Sequence, residues 1–207
     1  PYGSPSLEEL CAGKKDIVII SSDHTRPVPS RVTMPILLHH IHSAAPEARV
    51  RILVATGMHR PSTHEELVNK YGEEIVANEE IVMHVATDDS MMKKIGTLPS
   101  GGECIINKIA ADCDLLLAEG FIEPHFFAGF SGSRKSVLPG IASYKTIMYN
   151  HNGQFVNDSH SRAGNLCHNH VSEDMFAAAE MAHLAFVLNV VLNGKHEVIG
   201  SFAGDIH

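Results

Sequence analysis

Three short, continuous runs of apolar residues constrain the fold of this chain more than any other feature of its sequence. They occupy residues 16–21, 50–55 and 113–119. Such runs are typical of strands that are buried on both faces, which occur mainly in parallel sheets covered by helices. Segments with helical apolar spacing lie between the runs. The alternation predicts a three-layer α/β domain with a mainly parallel, Rossmann-like sheet.

The remaining elements complete that arrangement. We expect a helix capped by Ser30 after the first strand, and a capping box at residues 62–66 predicts the next helix. A helix capped by Ser172 precedes a predicted hairpin at residues 185–202, whose Asn-Gly turn indicates an antiparallel edge. The length suits one domain of this kind, so we expect residues 1–207 to form a single domain.

Charge and cysteine content argue against several classes of function. The formal net charge is −8, which disfavours nucleic acid or an anionic membrane as the main partner, because phosphate neutralisation needs a clustered basic surface. No run reaches the roughly 20 apolar residues of a membrane helix. The 4 cysteines form no C-x-x-C pair, which favours reduced thiols in the cytoplasm over a disulfide framework or zinc ribbon.

Polar side chains follow the first two predicted strands. Residues 23–29 read Asp-His-Thr-Arg-Pro-Val-Pro, and residues 56–61 read Thr-Gly-Met-His-Arg-Pro. Ligands of parallel sheets bind just past the carboxyl ends of the strands, so Asp23, Arg26 and His59 are candidates for a site. The alternative for Asp23 and Arg26 is a structural turn with a salt bridge.

The third run leads into residues 120–152, where glycines and aromatic residues surround His125, Lys135 and His151. Taken singly, each histidine is more often a hydrogen-bonded loop residue than a ligand, and a lysine is more often a solvated charge. Taken together, histidines that titrate near neutrality suit acid/base chemistry, and a lysine desolvated by phenylalanines suits an amine nucleophile. This stretch is therefore the predicted centre of the site.

The turn at residues 129–136, Gly-Phe-Ser-Gly-Ser-Arg-Lys-Ser, comes close to the phosphate-loop pattern G-x-x-x-x-G-K-[ST]. It departs from that pattern at Arg134, which stands where the second glycine would let the backbone approach a phosphate. A serine-hydrolase elbow fails because Ser133 stands where glycine is required. What survives is an anion-binding turn, so a nucleotide- or phosphate-binding module without a redox cofactor is the alternative function.

Several motifs form one ordered set along the chain. Besides the turns that follow the first two strands, they are Glu-Pro-His-Phe-Phe-Ala-Gly-Phe-Ser-Gly at 123–132, Lys135 followed by Pro-Gly at 139–140, and Asn-His at 150–151. This set resembles the N-terminal domain of the nickel-dependent lactate racemase family, which includes related 2-hydroxy-acid racemases and epimerases. The resemblance covers nearly the whole chain.

The resemblance implies a covalent cofactor, the nickel-pincer nucleotide (nickel pyridinium-3,5-dithiocarboxylate mononucleotide). It implies that Lys135 forms the thioamide tether, that His151 binds nickel, and that His59 and His125 are the acid/base pair. In that family, one histidine takes the hydroxyl proton while the α-hydrogen moves as hydride to the cofactor ring, and its return to the other face inverts the centre. The residues implied on the phosphate and ribose side are Asp23, Thr25, Arg26, Gly132 and Ser133.

The resemblance also implies partners. They are a small 2-hydroxy acid as substrate, the enzymes that make the cofactor, and a C-terminal domain of the same protein that closes over the cofactor. We expect that domain to be absent from this chain, which ends at His207, and the isolated domain to be inactive. The turn at 131–134, Ser-Gly-Ser-Arg, lacks a second glycine that the family more often has, so local cofactor contacts are expected to differ.

Overall fold

The structure, a computed structural model, describes residues 1–132 and 134–207. The predicted cofactor contact at Ser133 therefore lies outside the described residues. The strands are β1 (Asp16–Ser22), β2 (Arg49–Ala55), β3 (Glu80–Met83), β4 (Met92–Thr97), β5 (Glu103–Asn107), β6 (Leu115–Phe121), β7 (Pro124–His125), β8 (Gly129–Phe130), β9 (Leu184–Leu192) and β10 (Val198–Gly204).

The central sheet has six strands in the order β10-β9-β6-β1-β2-β3. All neighbouring strands in it pair in parallel except β9 and β10, which are antiparallel. The predicted mainly parallel sheet with an antiparallel edge is confirmed. In β1, Ile19 is level with Ile52 of β2 and Leu117 of β6, so these three strands end at one edge of the sheet.

Helices cover both faces of the sheet. Alternate side chains of β1 enter two separate cores: Ile17 and Ile19 belong to one, and Val18 and Ile20 to the other. Helices α1 to α4 contribute to the first core and α5, α6, α7 and α9 to the second. The helices are α1 (Leu7–Cys11), α2 (Ser30–Ala44), α3 (His64–Tyr71), α4 (Glu73–Asn78), α5 (Lys108–Asp112), α6 (Arg134–Val137), α7 (Tyr144–Asn150), α8 (Gly153–Val156) and α9 (His170–Met181).

Two predicted helix caps are wrong. Ser30 is the first residue of α2 rather than its cap, and Pro29 precedes it without a side-chain cap. The Ser30 hydroxyl instead donates to the buried carboxylate of Glu119, which needs hydrogen-bond donors because it lies away from water. Asn169 caps α9, and its side-chain oxygen accepts the backbone N–H of Ser172 at 3.1 Å.

The helix predicted from the capping box at residues 62–66 is confirmed as α3, but α4, which follows it, was not predicted. Thr63 caps α3 and forms a capping box with Glu66, as the sequence predicts. Gly72 then adopts a φ of 93° and leads directly into α4. The polar stretch after β3 forms the antiparallel hairpin of β4 and β5. None of the described helices is long and apolar enough to cross a membrane.

Candidate active site

A cavity of about 280 Å³ opens at the carboxyl edge of the sheet. The ends of β1, β2 and β6 line it, together with parts of the chain between β6 and α7. Its lining includes Arg26, His59, His125, Lys135 and His151. Segments that are distant in sequence converge here because neighbouring parallel strands end at the same edge.

His59, which follows β2, is bonded to Asp23, which follows β1. Nδ1 of His59 lies 2.7 Å from Oδ2 of Asp23. The other carboxylate oxygen, Oδ1, accepts hydrogen bonds from the hydroxyl and the backbone N–H of Thr25, at 2.7 and 3.1 Å. Both oxygens of this carboxylate, which is only 1% exposed, are therefore occupied.

These bonds set the charge of Asp23 and the tautomer of His59. Burial raises the pKa of Asp23, but the hydrogen bonds from Thr25 and His59 together lower it by more, so the pKa lies below its ordinary value. An ionised carboxylate accepts only, so neutral His59 carries its proton on Nδ1. The lone pair of His59 is then on Nε2, as a general base requires.

His125 lies in β7, which pairs with β8 as a two-residue hairpin. Its Nε2 is 3.2 Å from Nζ of Lys135, and its Nδ1 accepts the backbone N–H of Ala128 at 3.3 Å. The Phe126 ring stacks on the imidazole at 4.7 Å, and the Phe127 ring meets it edge-on at 4.6 Å. The two phenylalanines thus hold His125 against Lys135.

Burial dominates the electrostatics of this pair. It lowers the pKa of Lys135 to about 7, with Arg134 and Arg26 adding to the effect. Burial, followed by the Lys135 charge, also lowers the pKa of His125 to about 4. At neutral pH, therefore, His125 is uncharged and a large fraction of Lys135 is an uncharged amine.

His151 follows α7 and meets the Phe127 ring edge-on, with the two ring centroids 5.1 Å apart. Burial, and secondly the Lys135 charge, lower its pKa to about 4, so it is a neutral imidazole with a lone pair. Its Nδ1 is buried and has no hydrogen-bond partner among the described residues. Such an atom is costly unless a ligand supplies a partner.

The side chain of Arg134, which departs from the phosphate-loop pattern, is engaged within the protein. Arg134 is buried, and its guanidinium donates to the carbonyls of Ala128, Phe130 and Ser131 and stacks 4.6 Å from the Phe176 ring. The guanidinium is thus occupied by protein carbonyls rather than presented to an anion. Helix α6 has only four residues, too few for a developed helix dipole.

The other predicted contacts divide into two groups. Arg26 and Gly132 line the cavity, and Gly132 has a φ of 105°, a backbone conformation that favours glycine. Thr25 is exposed, and its hydroxyl donates to Asp23, which itself lines the cavity. Whether these residues contact a cofactor stays a prediction.

The chain matches the family model described as the lactate racemase N-terminal domain over residues 1–164. It belongs to that family. Curated lactate racemases of Lactiplantibacillus plantarum and Thermoanaerobacterium thermosaccharolyticum are 70% and 53% identical to this chain over 206 and 204 residues. The two alignments include 100% and 99% of this chain, but only 49% and 48% of the two relatives. The chain thus spans about half the length of the curated relatives it matches.

Solved structures agree with the fold of this chain. The lactate racemase apoprotein of Thermoanaerobacterium thermosaccharolyticum superposes with a TM-score of 0.97 at 53% identity, covering 99% of this chain and 49% of its own. A protein of Thermotoga maritima superposes with a TM-score of 0.78 at 23% identity, covering 95% of this chain and 52% of its own. The second likeness shows the fold alone.

The cofactor that the resemblance implies calls for a metal ligand and a free amine in the cavity. No group of three or more His, Cys, Asp or Glu side chains in residues 1–132 and 134–207 is arranged to hold a metal ion. A metal bound at His151 would need further ligands from outside this described part of the chain. The unpartnered Nδ1 of His151 and the amine of Lys135 beside it in the cavity lining fit that cofactor.

Glu119, near the end of β6, was not predicted as part of the site. It lines the cavity, is 0% exposed, and accepts hydrogen bonds from the hydroxyls of Ser21, Ser30 and Thr33. The signal was present in the sequence, since an ionisable residue that ends a strand buried on both faces must find polar partners. The identity of those partners depends on tertiary packing.

His84, which follows β3, was also not predicted. Its Nδ1 accepts from the Asn107 side chain at 3.2 Å, which leaves Nε2–H to donate to the Ala142 carbonyl at 3.0 Å. Burial lowers the pKa of His84 to about 4. This histidine ties the end of β3 to the segment that leads from Lys135 into α7.

We expect the domain to lose stability in mild acid. An unfolded histidine titrates near 6.5, whereas folded His84 titrates at about 4, so the unfolded chain binds an extra proton between these values. The contribution is fully present above about pH 6.5 and falls by roughly 1 kcal/mol per pH unit for this fully buried group as the pH drops towards 4. Urea unfolding across this range measures the slope, and His84→Gln should make it shallower. An unchanged slope in that variant would contradict the assignment.

Proposed function

We propose that this chain is the cofactor-side part of a racemase or epimerase that acts on lactate or a related 2-hydroxy acid. The observation that carries the proposal is the convergence of His59, His125, Lys135 and His151 on one cavity. A reactive amine, two acid/base candidates and an unpartnered imidazole are what a tethered metal cofactor and a two-way proton transfer require. Membership of the lactate racemase family supports the same function.

The nickel-pincer nucleotide is the cofactor that we assign to the cavity. Lys135 would form the covalent tether and His151 would bind nickel. When bound, this group supplies an acceptor for the hydride that leaves the α-carbon of the substrate. Arg26, together with the turn at Gly132, would hold the anionic phosphate side of the cofactor.

His59 and His125 would move the hydroxyl proton of the substrate. With its proton fixed on Nδ1 by Asp23, His59 offers the Nε2 lone pair to the hydroxyl group, and the ionised carboxylate stabilises the imidazolium that results. A racemase must act on both enantiomers, and His125 is the candidate for the second base. Attachment of Lys135 to the cofactor would remove a basic amine from His125, whose Nε2 would then act as a base once the Ala128 N–H releases Nδ1 and the ring proton moves there.

The rest of the longer protein would complete the site. The relatives are about twice as long as this chain, and we propose that their additional sequence closes over the cofactor and supplies substrate contacts. The chain alone would then bind the cofactor without turning over substrate. The cofactor itself would come from dedicated biosynthetic enzymes, which makes them obligatory partners.

Covalent attachment tests this proposal directly. After co-expression with the cofactor-making enzymes, intact mass spectrometry of the full-length protein should show an adduct that Lys135→Ala abolishes. The matched control is Lys145→Ala, which removes an exposed lysine that is ion-paired with Glu103. An adduct that persists in Lys135→Ala would refute the tether. Nucleotide binding without any adduct would favour a phosphate-binding module instead.

A further inference from the structure

We propose that His125 has a second task before cofactor attachment: it positions Lys135 as an uncharged nucleophile for reaction with an activated acyl group. The role is that of a positioning residue and is separate from proton transfer to the substrate. It deepens the proposed function, on which it rests for the identity of the acyl group. The contact that carries it joins Nε2 of His125 to Nζ of Lys135 at 3.2 Å.

The hydrogen-bond pattern around His125 fixes which atom of the pair donates. The backbone N–H of Ala128 points at Nδ1, so Nδ1 must carry a lone pair. A neutral imidazole has one proton, which must then be on Nε2. An ammonium group has three donors and no acceptor and would face that N–H unfavourably, whereas an uncharged amine accepts it. The geometry therefore selects the uncharged form of Lys135.

The surroundings of Lys135 differ from those of the surface lysines. Lys93, Lys94 and Lys145 each pair with a carboxylate, whereas Lys135 has His125 as its hydrogen-bond partner. Its Nζ also lies 5.6 Å from the centroid of the Phe127 ring. Burial and the neighbouring arginines lower its pKa to about 7, which agrees with the charge state that the hydrogen bonds require.

Lys70 provides a comparison within the same molecule. It is also half-buried, and burial lowers its pKa. However, its Nζ donates to the Ser22 hydroxyl at 3.2 Å, and the charges of Glu119 and Asp23 oppose the shift. Lys70 lies in a neighbouring cavity that His125 does not line. Lys70 is therefore a half-buried lysine without an imidazole partner, whereas Lys135 is a half-buried lysine with one.

The reaction needs no oxidant or reductant. The Nζ lone pair attacks the carbonyl or thiocarbonyl carbon of an activated acyl or thioacyl group, such as an ester with a good leaving group, and a thioacyl group yields the thioamide tether. A C–N bond forms, the bond to the leaving group breaks, and the leaving group takes the electron pair. The nitrogen loses one of its two hydrogens as a proton to solvent. His125 releases its hydrogen bond to the lone pair as the attack begins, and its own proton count does not change.

The test uses full-length protein made without the cofactor-making enzymes and treated with substoichiometric N-hydroxysuccinimidyl acetate at pH 7. Peptide mass spectrometry would follow acetylation at each lysine. About half of Lys135 is uncharged at this pH, against roughly one part in a few thousand of an ordinary lysine, although a weaker base is also a weaker nucleophile. We expect Lys135 to be acetylated at least about tenfold faster than Lys145.

Substitutions of His125 measure how much its imidazole contributes to the acetylation rate of Lys135. His125→Ala should slow acetylation of Lys135 about tenfold and leave Lys70 unchanged, while His125→Gln, whose amide can donate from a similar place, should recover part of the rate. His64→Ala, on an exposed histidine of α3, is the control, and circular dichroism checks the fold of each variant. Equal labelling of Lys135 and Lys145 in the wild type, or wild-type labelling of Lys135 in His125→Ala, would overturn the proposal. Because none of these rates requires the cofactor, failure of the racemase proposal would be seen separately.

Discussion

Asp23→Asn is expected to lower racemisation by roughly 10²- to 10⁴-fold while leaving the cofactor adduct on Lys135 intact. Asparagine has nearly the same shape as aspartate, but one acceptor oxygen is replaced by an NH₂ donor. Oδ1 of Asp23 accepts two hydrogen bonds from Thr25, so the amide oxygen of asparagine must stay at that position. The amide NH₂ then replaces Oδ2 and faces Nδ1 of His59, which lies 2.7 Å away in the native chain.

The consequence is a reversed tautomer. A donor opposite Nδ1 forces that nitrogen to accept, so the proton of neutral His59 moves to Nε2, where the lone pair is needed. The variant also loses the charge that stabilises the imidazolium. The rate is measured with each enantiomer, and the adduct by intact mass. His59→Ala should lose at least as much activity with nickel still bound. Wild-type turnover by Asp23→Asn would show that this carboxylate does not orient the base.

Local sequence patterns predicted the elements of the fold well where burial determines them. The runs that became β1, β2 and β6 are apolar because both faces of each strand are covered. The hairpin of β9 and β10 was predicted from an Asn-Gly pair, but its loop is longer than a two-residue turn: it spans 193–197, and the positive φ is at His196 rather than Gly194. The caps at Ser30 and Ser172 were wrong because each hydroxyl has more than one possible partner. The Ser30 hydroxyl donates to the buried carboxylate of Glu119 and does not cap the helix.

The sequence predicted which residues line the cavity better than it predicted the hydrogen bonds that they make. His59, His125, Lys135 and His151 line one cavity, as strand ends and motifs indicated. The sequence contains no local signal that Asp23 faces His59 across 36 residues, or that His125 receives a backbone N–H. The sequence marks Arg134 only as a departure from a glycine pattern. Its bonds to protein carbonyls depend on how the turn folds back on itself.

Gly140→Ala is expected to destabilise the domain by about 2–4 kcal/mol and to reduce cofactor attachment. A Cβ at this position would lie 2.2 Å from the Ser136 carbonyl oxygen and 2.9 Å from Cβ of Ala55. The first of these atoms belongs to the backbone, so no side-chain rotation relieves the contact. The carbonyl of Gly140 also accepts the N–H of Gly57 at 2.9 Å, which joins the loop of His59 to the segment after Lys135.

Separation of these segments would therefore act on stability and on the site together. Urea unfolding measures the first effect, and the mass of the Lys135 adduct measures the second. Gly194→Ala is the matched control, because a Cβ there meets nothing within 4 Å and its backbone is not left-handed. It should change the free energy of unfolding by less than about 1 kcal/mol. If Gly140→Ala unfolded like the control, residues 136–140 would not be packed against the end of β2 as tightly as the contacts of Gly140 indicate.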